Sequence, residues 1–375
     1  MIRTIGILGG GQLGRMLCLA AKRMGYRVVT LEPLPDSPCG QVADEQIVAA
    51  YDDERAIGEL GARSDVVTYE FENIPLGSVQ ALEASHRIVR PSGEVLRVTQ
   101  DRLLEKAFVE DCGGRVAPYA RVASEAELIA AMRGVGFPAV MKTARGGYDG
   151  KGQAVVANET EARAAFAAAR GATLIYEAFV EMDLEVSIIC ARGTDGATIT
   201  FPITENRYDR GVLALTIAPA AISEAMAERI RDVSRRIGER LALVGAYCVE
   251  FFLAGDDIFV NEIAPRVHNS GHYSLDATQI SQHEAHVRAI CELPLVEPYL
   301  FAPAVMVNVL GSDTGDELLG VAELLRDRNL KLHVYGKQHA ALRRKMAHFT
   351  VLGASREDAL ARAGRGSELI SWGER

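Results

Sequence analysis

The sequence predicts a mixed α/β and α+β protein in three parts: a doubly wound parallel sheet over residues 1–98, a central unit over 99–298 and a small β-rich unit over 299–375. Three observations lead there. Short apolar strands alternate with an amphipathic helix at the start. The texture then changes to strands flanking a glycine-rich loop, followed by a long striped helix and a hairpin. Short strands recur from Ala304 onward. At 375 residues the chain is also too long for one ordinary core, and with 48% hydrophobic residues it can fill several.

In the first part, Ile5–Leu8 reads as a buried strand, so Met1–Leu8 is not a signal peptide. Gln12–Met24 reads as a helix with Leu13, Leu17, Ala20 and Met24 on one face, and Val28–Leu31 and Val66–Tyr69 as further strands. Asp101–Asp111 is helical. Pro138–Lys142 and Gln153–Ala157 are strands around a glycine loop, and Glu159–Ala169 is a helix. Leu174–Tyr176 and Glu185–Cys190 are strands. Ile222, Met226, Ile230, Val233, Ile237 and Leu241 stripe one long helix. Tyr247–Leu253 and Ile258–Ile263 form a hairpin, and Val305–Leu310 and Lys331–Tyr335 are strands of the last part.

A net charge of −9 gives no global field to recruit nucleic acid. No apolar run approaches the roughly 20 residues of a membrane helix. The six cysteines, Cys18, Cys39, Cys112, Cys190, Cys248 and Cys291, form no C-x-x-C pair and fit buried thiols in a reducing cytoplasm.

Four clusters carry chemistry. Gly9-Gly10-Gly11-Gln12-Leu13-Gly14 lies between a strand and a helix, with Glu32 after the second strand. That is the dinucleotide fingerprint, and alone it points to a nicotinamide enzyme, although any anion can use such a helix start. Residues 142–153 put four glycines within seven residues beside Lys142, Arg145, Tyr148, Asp149 and Lys151. Placed between strands, they form a flap whose backbone N–H groups can cradle phosphates, with Lys142 as a point charge; an ordinary glycine-rich hairpin is the competing reading. The hairpin, if centred on Asp256, sets Glu250 opposite Glu262, a repulsive pair that a divalent cation resolves. A one-residue slip would bring Asn261 there instead. Cys248, Phe252, Ile258 and Val260 are expected on the same face. Finally Arg266, His268 and Asn269, in a loop too irregular for a helical zinc pair of His268 with His272, supply donors suited to bicarbonate. His283 and His286 read as helix surface or packing.

Together, residues 9–16, 146–153 and 261–272 resemble the signatures of the 5-(carboxyamino)imidazole ribonucleotide synthetases, ATP-grasp enzymes of purine biosynthesis. The resemblance runs over nearly the whole chain. It implies a Rossmann-like N-terminal (pre-ATP-grasp) domain, a central ATP-grasp domain and a small C-terminal domain. The activity it implies is ATP- and magnesium-dependent carboxylation of aminoimidazole ribonucleotide with bicarbonate, through carboxyphosphate, by a cytoplasmic homodimer.

By that resemblance Arg102 and Lys142 meet ATP phosphates beneath a flap of Gly147, Tyr148, Asp149, Gly150, Lys151, Gly152 and Gln153. Glu177, Ala178, Phe179 and Val180 read adenine, Glu185 holds the ribose, and Tyr208 lies by the nucleotide. Asn261 and Glu262, with Glu250, manage magnesium. Tyr148, Asp149, Lys151 and Lys345 meet the ribonucleotide, assisted by Gln12 and Glu70, and Arg266, His268 and Asn269 hold bicarbonate. Asp149 and Lys345 are the candidates for handling the amine proton and balancing charge. The chain departs from the family at Lys151, Tyr208 and Ala347, where Arg, His and Gly are common. The alternatives are a related ligase using formate or another acceptor, a non-catalytic nucleotide sensor, and the nicotinamide enzyme.

Overall fold

The computed structural model describes residues 2–147, 152–313 and 315–374. The first part is a four-stranded parallel sheet in the order Glu45–Ile47, Arg27–Leu31, Thr4–Leu8, Val66–Tyr69. The near-continuous apolar runs of Thr4–Leu8, Arg27–Leu31 and Val66–Tyr69 reflect burial on both faces. One face packs Ile5, Ile7 and Val28 against Leu17 and Cys18 of the helix Gln12–Arg23 and against Val287 and Ile290 of the later helix Gln282–Ile290. His286, buried on that later helix, spans the junction: its Nε2 lies 2.9 Å from Thr68 Oγ1, and its Nδ1 accepts from the Ala246 amide at 3.0 Å. His283 is likewise fully buried, so both histidines pack rather than line the surface.

A small four-stranded sheet, Tyr119–Val122, Leu174–Ala178, Ala139–Thr143, Gln153–Val156, carries the glycine loop at one end. Beside it runs a nine-stranded sheet containing the hairpin Gly245–Ala254/Asp257–Ala264 and the strand Leu184–Arg192. The helix Glu224–Arg240 covers one face of it and begins with the Ser223 hydroxyl accepting from the Met226 amide. Its buried line runs through Ala227, Ile230, Ser234, Ile237 and Gly238, a few tens of degrees from the predicted stripe. Tyr247 explains the offset: its hydroxyl donates to Ser234 O at 3.0 Å, and a Cβ on Gly238 would sit 2.3 Å from that hydroxyl. Complete burial of Ile230 and Ile237 is worth roughly 1.5–3 kcal/mol each.

The last part has a small two-stranded sheet of its own, Glu317–Leu319 with Ser371–Gly373, but its longer strands join the central one. Ala304–Leu310 pairs antiparallel with Val212–Ala218, and Lys345–Leu352 and Leu330–Val334 extend the same nine-stranded sheet. Nor is this part wholly β: Arg356–Leu369 is a helix capped by Ser355, and Phe349 and Leu324 close on Gly366. The Ser355-x-x-Asp358 pattern is a start signal that the strand-centred reading passed over. No described helix is long and apolar enough to cross a membrane, and all six cysteines are buried and unpaired.

Candidate active site

The glycine turn after the first strand is already occupied by carboxylates of the same chain. Glu70 accepts from the amides of Gly11 and Gly14, the latter at 2.5 Å, and Glu32 accepts from Gly10 at 2.9 Å. A Cβ at Gly9 would lie 2.3 Å from Glu70 Cγ, so glycine is needed for this approach. The helix start that a dinucleotide pyrophosphate would use is therefore held by side chains, which removes the nicotinamide reading. Burial keeps the Glu70 carboxyl above its usual range. Gln12, the other residue expected here, opens the same helix and is partly buried.

The hairpin brings Glu250 opposite Glu262, as expected, but by another route. The turn is the two-residue Gly255-Asp256, with Ala254 paired to Asp257 and Gly255 at φ +56°. A one-residue bulge after Val260 then restores the carboxylate pair. Phe252 faces Phe259, whereas Ile258 and Val260 belong to the opposite, core face with Val249, Phe251 and Leu253; their expected place beside Glu250 is thus corrected. Burial first, and Glu262 second, push the Glu250 carboxyl up to about 7. Burial and then Glu250 push Glu185 up to about 8. Glu185, Glu250 and Glu262 so placed repel one another, and a shared cation relieves that repulsion, so the donor set fits a divalent ion. Tyr208, half-buried, donates its hydroxyl to Glu250 Oε1 at 3.1 Å.

Glu177 lies in the strand Leu174–Ala178, and its side chain meets cations. Lys142 Nζ is 2.7 Å from one carboxylate oxygen and Lys106 Nζ 3.1 Å from the other. Burial alone would raise the acid, but the two lysines outweigh it and bring it to about 2. The sequence reading missed Lys106, one turn beyond Arg102 on the same helix face. Arg102 reaches Glu262 at 3.2 Å, while its Nε is buried without a partner among the described residues. That orphan donor fits an anionic ligand. Ala178 ends the strand, and Phe179, 45% exposed, follows with its amide on Pro138 O. With Val180 they lie on the connection past Glu177.

Glu177→Ala leaves a buried ammonium unpaired and is expected to cost about 3–5 kcal/mol of stability. The pair's contribution is full above the ordinary carboxylate pKa of 4.5 and disappears as pH falls toward about 2. Unfolding midpoints of wild type and Glu177→Ala measured from pH 7 to 2 should therefore converge on acidification; a constant gap would refute this.

The loop after the hairpin is tied down on every side. Arg266 forms a two-pronged pair with Glu72 of the first part, Nη2 to Oε1 at 2.9 Å, and this partner was not anticipated. Asn269 and Asn308 exchange amide hydrogen bonds, Asn269 Nδ2 to Asn308 Oδ1 at 3.1 Å, so Asn269 also anchors the last part. His268 Nδ1 accepts from the Ser270 amide at 3.3 Å, which leaves the proton on Nε2, 3.6 Å from Glu250 Oε1. Burial, then Arg266 and Lys345, hold this ring near pKa 3 and hence neutral. His272 turns away and stacks on His348 at 4.8 Å and His283 at 5.6 Å, a packing role.

Lys345 starts the strand Lys345–Leu352, and its charge acts on both Glu250 and His268. Glu185 likewise feels Lys142. Asn261 stands in the hairpin next to Glu262. Gly147 and Gly152 take φ of +81° and +77°, and Gln153 pairs with Lys142. Tyr148, Asp149, Gly150 and Lys151 lie outside the described residues. The structure thus gathers Arg102, Lys142, Glu177, Glu185, Tyr208, Glu250 and Glu262 next to Arg266, His268, Asn269 and Lys345, while Glu70 serves the glycine turn.

Comparison with known proteins agrees along the chain. Residues 2–100 match the ribonucleotide synthetase preATP-grasp domain, 107–283 the ATP-grasp domain and 304–362 the phosphoribosylaminoimidazole carboxylase C-terminal domain. The N5-carboxyaminoimidazole ribonucleotide synthase of Bacillus subtilis is 44% identical over 353 residues, covering 93% of this chain and 91% of that one. That of Brucella melitensis is 45% identical over 350 residues, covering 92% and 95%. The structure of N5-carboxyaminoimidazole synthase from Aspergillus clavatus, in complex with ADP and 5-aminoimidazole ribonucleotide, superposes with a TM-score of 0.91 at 28% identity, covering 98% of each chain. Sequence, domain order and fold agree, and the chain belongs to the N5-carboxyaminoimidazole ribonucleotide synthase family.

Proposed function

We propose that this protein carboxylates the amine of 5-aminoimidazole ribonucleotide with bicarbonate, cleaving ATP to ADP and phosphate. The observation that carries the reading is the direct contact between two chemistries: an acidic and cationic nucleotide-type site adjoins an anion-type loop through Glu250 and His268. Relatives solved with ATP, or with ADP and the ribonucleotide, support those two substrates.

Bicarbonate is a poor electrophile. Its oxygen attacks the γ-phosphorus of ATP, the bond to ADP breaks, and carboxyphosphate forms. The amine then attacks the carboxyl carbon, directly or after release of carbon dioxide; the new N–C bond replaces the C–O bond to phosphate, and the amine proton is removed. Arg102, Lys142 and Lys106 gather around the phosphates, and Glu177 pairs with both lysines and positions them. Glu250 and Glu262, with Asn261, are the residues that would hold magnesium, which supplies charge neutralisation between the phosphates. Glu185 takes the ribose and the 177–180 segment the adenine. Arg266 and neutral His268 orient bicarbonate, with Asn269 fixing their loop. Asp149 and Lys345 handle the amine proton and its charge, under a flap of residues 147–153 that keeps water from the labile intermediate.

The same reading assigns residues 1–98, 99–298 and 299–375 as domains and places the protein in the cytoplasm, where unpaired thiols persist. It also makes the protein a homodimer, for which the exposed Val296, Tyr299 and Phe301 offer an apolar face.

ADP release is the test. It is expected to require magnesium and the ribonucleotide and to rise with bicarbonate, with one carboxylated product per ADP. Equal turnover with formate in place of bicarbonate would reassign the carboxyl donor, and ADP release that ignores the ribonucleotide would reassign the acceptor.

A further inference from the structure

We propose that Cys248, Glu250 and His268 form an inhibitory site for a thiophilic divalent cation of the zinc class, one that shares Glu250 with the oxygen-ligand site the reaction uses. Their ligand atoms, one thiol sulfur, one carboxylate oxygen and one imidazole nitrogen, lie within 4.8 Å of one another. This sulfur–nitrogen–oxygen set suits zinc or cobalt and is foreign to magnesium, which takes oxygen ligands.

The geometry is near what such an ion needs. His268 Nε2 and Glu250 Oε1 are 3.6 Å apart, and metal bonds of about 2.0–2.1 Å to nitrogen and oxygen span that gap at an open angle. With a metal–sulfur bond of about 2.3 Å, a tetrahedral ion needs the sulfur about 3.5 Å from each partner. From a spread of at most 4.8 Å, small side-chain rotations bring it there.

Each ligand already has an outer partner. The Tyr208 hydroxyl donates to Glu250 at 3.1 Å, Ser270 Oγ sits 2.9 Å from His268 Nδ1, and the same hydroxyl lies 3.9 Å from Cys248 Sγ. On binding, the His268 proton moves from Nε2 to Nδ1, which gives up the bond from the Ser270 amide and donates instead to Ser270 Oγ, and Nε2 is freed for the ion. The Cys248 thiol proton leaves to solvent as the metal–thiolate bond forms, and no oxidation state changes. Outer partners of this kind commonly orient metal ligands. Of the neighbouring charges, Glu185 and Glu262 adjoin Glu250 and favour a cation, while Arg266, which pairs with Glu72, and Lys345 both act on Glu250 and His268 and oppose it.

An ion seated there takes Glu250 from the phosphate side and His268 from the anion side, so the active site closes to both. Cys248 lies on the same strand face as Glu250, two residues away and fully buried, and the reaction makes no use of it.

The test adds cobalt(II), one equivalent, to the metal-free full-length protein without nucleotide. The expected result is a near-ultraviolet thiolate-to-cobalt absorption band in the wild type. The band is lost in Cys248→Ser and in Cys248→Ala, although the five other cysteines remain. In the carboxylation assay Cys248→Ser keeps the wild-type rate with magnesium but needs at least about tenfold more zinc for half-inhibition, the lower end of what losing even an outer partner costs a metal site. No band in the wild type, a band that survives in both variants, or unchanged zinc sensitivity overturns the proposal. The spectrum is read without substrates, so it stands or falls separately from the carboxylation reading.

Discussion

Glu250→Gln and Glu262→Gln are each expected to lower turnover by on the order of a hundredfold or more, the usual cost of removing one positioned electrostatic group at a reacting centre. Their effects on stability should differ. Glu250 is a buried acid pushed up to about 7 by burial and by Glu262, so neutralising it removes a repulsion. Glu250→Gln should unfold no earlier than wild type when magnesium is withheld. It should also lose much of the stabilisation that magnesium and nucleotide give the wild type, because binding to the folded state is what supplies it. Glu262→Gln instead weakens the ion pair with Arg102 at 3.2 Å and should be mildly destabilised. Near-native activity of both variants at limiting magnesium would sink the assignment of these carboxylates.

Lys345→Ala should leave nucleotide binding largely intact and weaken the ribonucleotide, or uncouple ATP cleavage from carboxylation. The charge of Lys345 acts on Glu250 and His268 from a strand of the last part, on the anion side of the site and far in sequence from the 177–180 segment. Loss of a cation facing a desolvated anion costs roughly 2–5 kcal/mol, and far less at an exposed rim. Lys345→Arg should rescue only in part, because a planar fork does not replace a compact ammonium. ADP and carboxylated product per turnover, followed across ribonucleotide concentrations, decide the matter. Unchanged coupling and unchanged ribonucleotide dependence would leave Lys345 as an ordinary charged residue at the start of its strand.

The fold was legible where local chemistry is decisive. The first strand and helix, the strand Val66–Tyr69, the helix after Asp101 and the hairpin all declare themselves through period and turn residues. The Glu250–Glu262 pairing was found from the wrong centre: the turn is one residue tighter, and the bulge after Val260 compensates. No local rule announces that bulge, and the misplacement of Ile258 and Val260 followed from it, since a one-residue shift exchanges faces.

Partners distant in sequence were illegible for a different reason. Glu72 on Arg266 and Asn308 on Asn269 are brought in by topology, and nothing around Glu72 or Asn308 in the chain marks them. Lys106 could have been found, since it follows Arg102 by one helical turn on the face that the phosphates were expected to meet. The glycine turn shows how far a motif can mislead: its spacing fits a dinucleotide, and only the structure reveals that Glu70 and Glu32 fill it.

Because Val212–Ala218 pairs with Ala304–Leu310, which pairs in turn with Lys345–Leu352, the sheet cannot be completed in the order in which it is synthesised. On the ribosome the strand ending at Ala218 emerges well before the one beginning at Ala304; at ordinary elongation rates the interval is roughly ten seconds. Through that interval Val212–Ala218 presents a bare edge able to pair with another nascent chain. A nascent chain stalled before Ala304 should therefore bind holdase chaperones and aggregate, whereas one carried past Leu352 should resist protease through the central sheet.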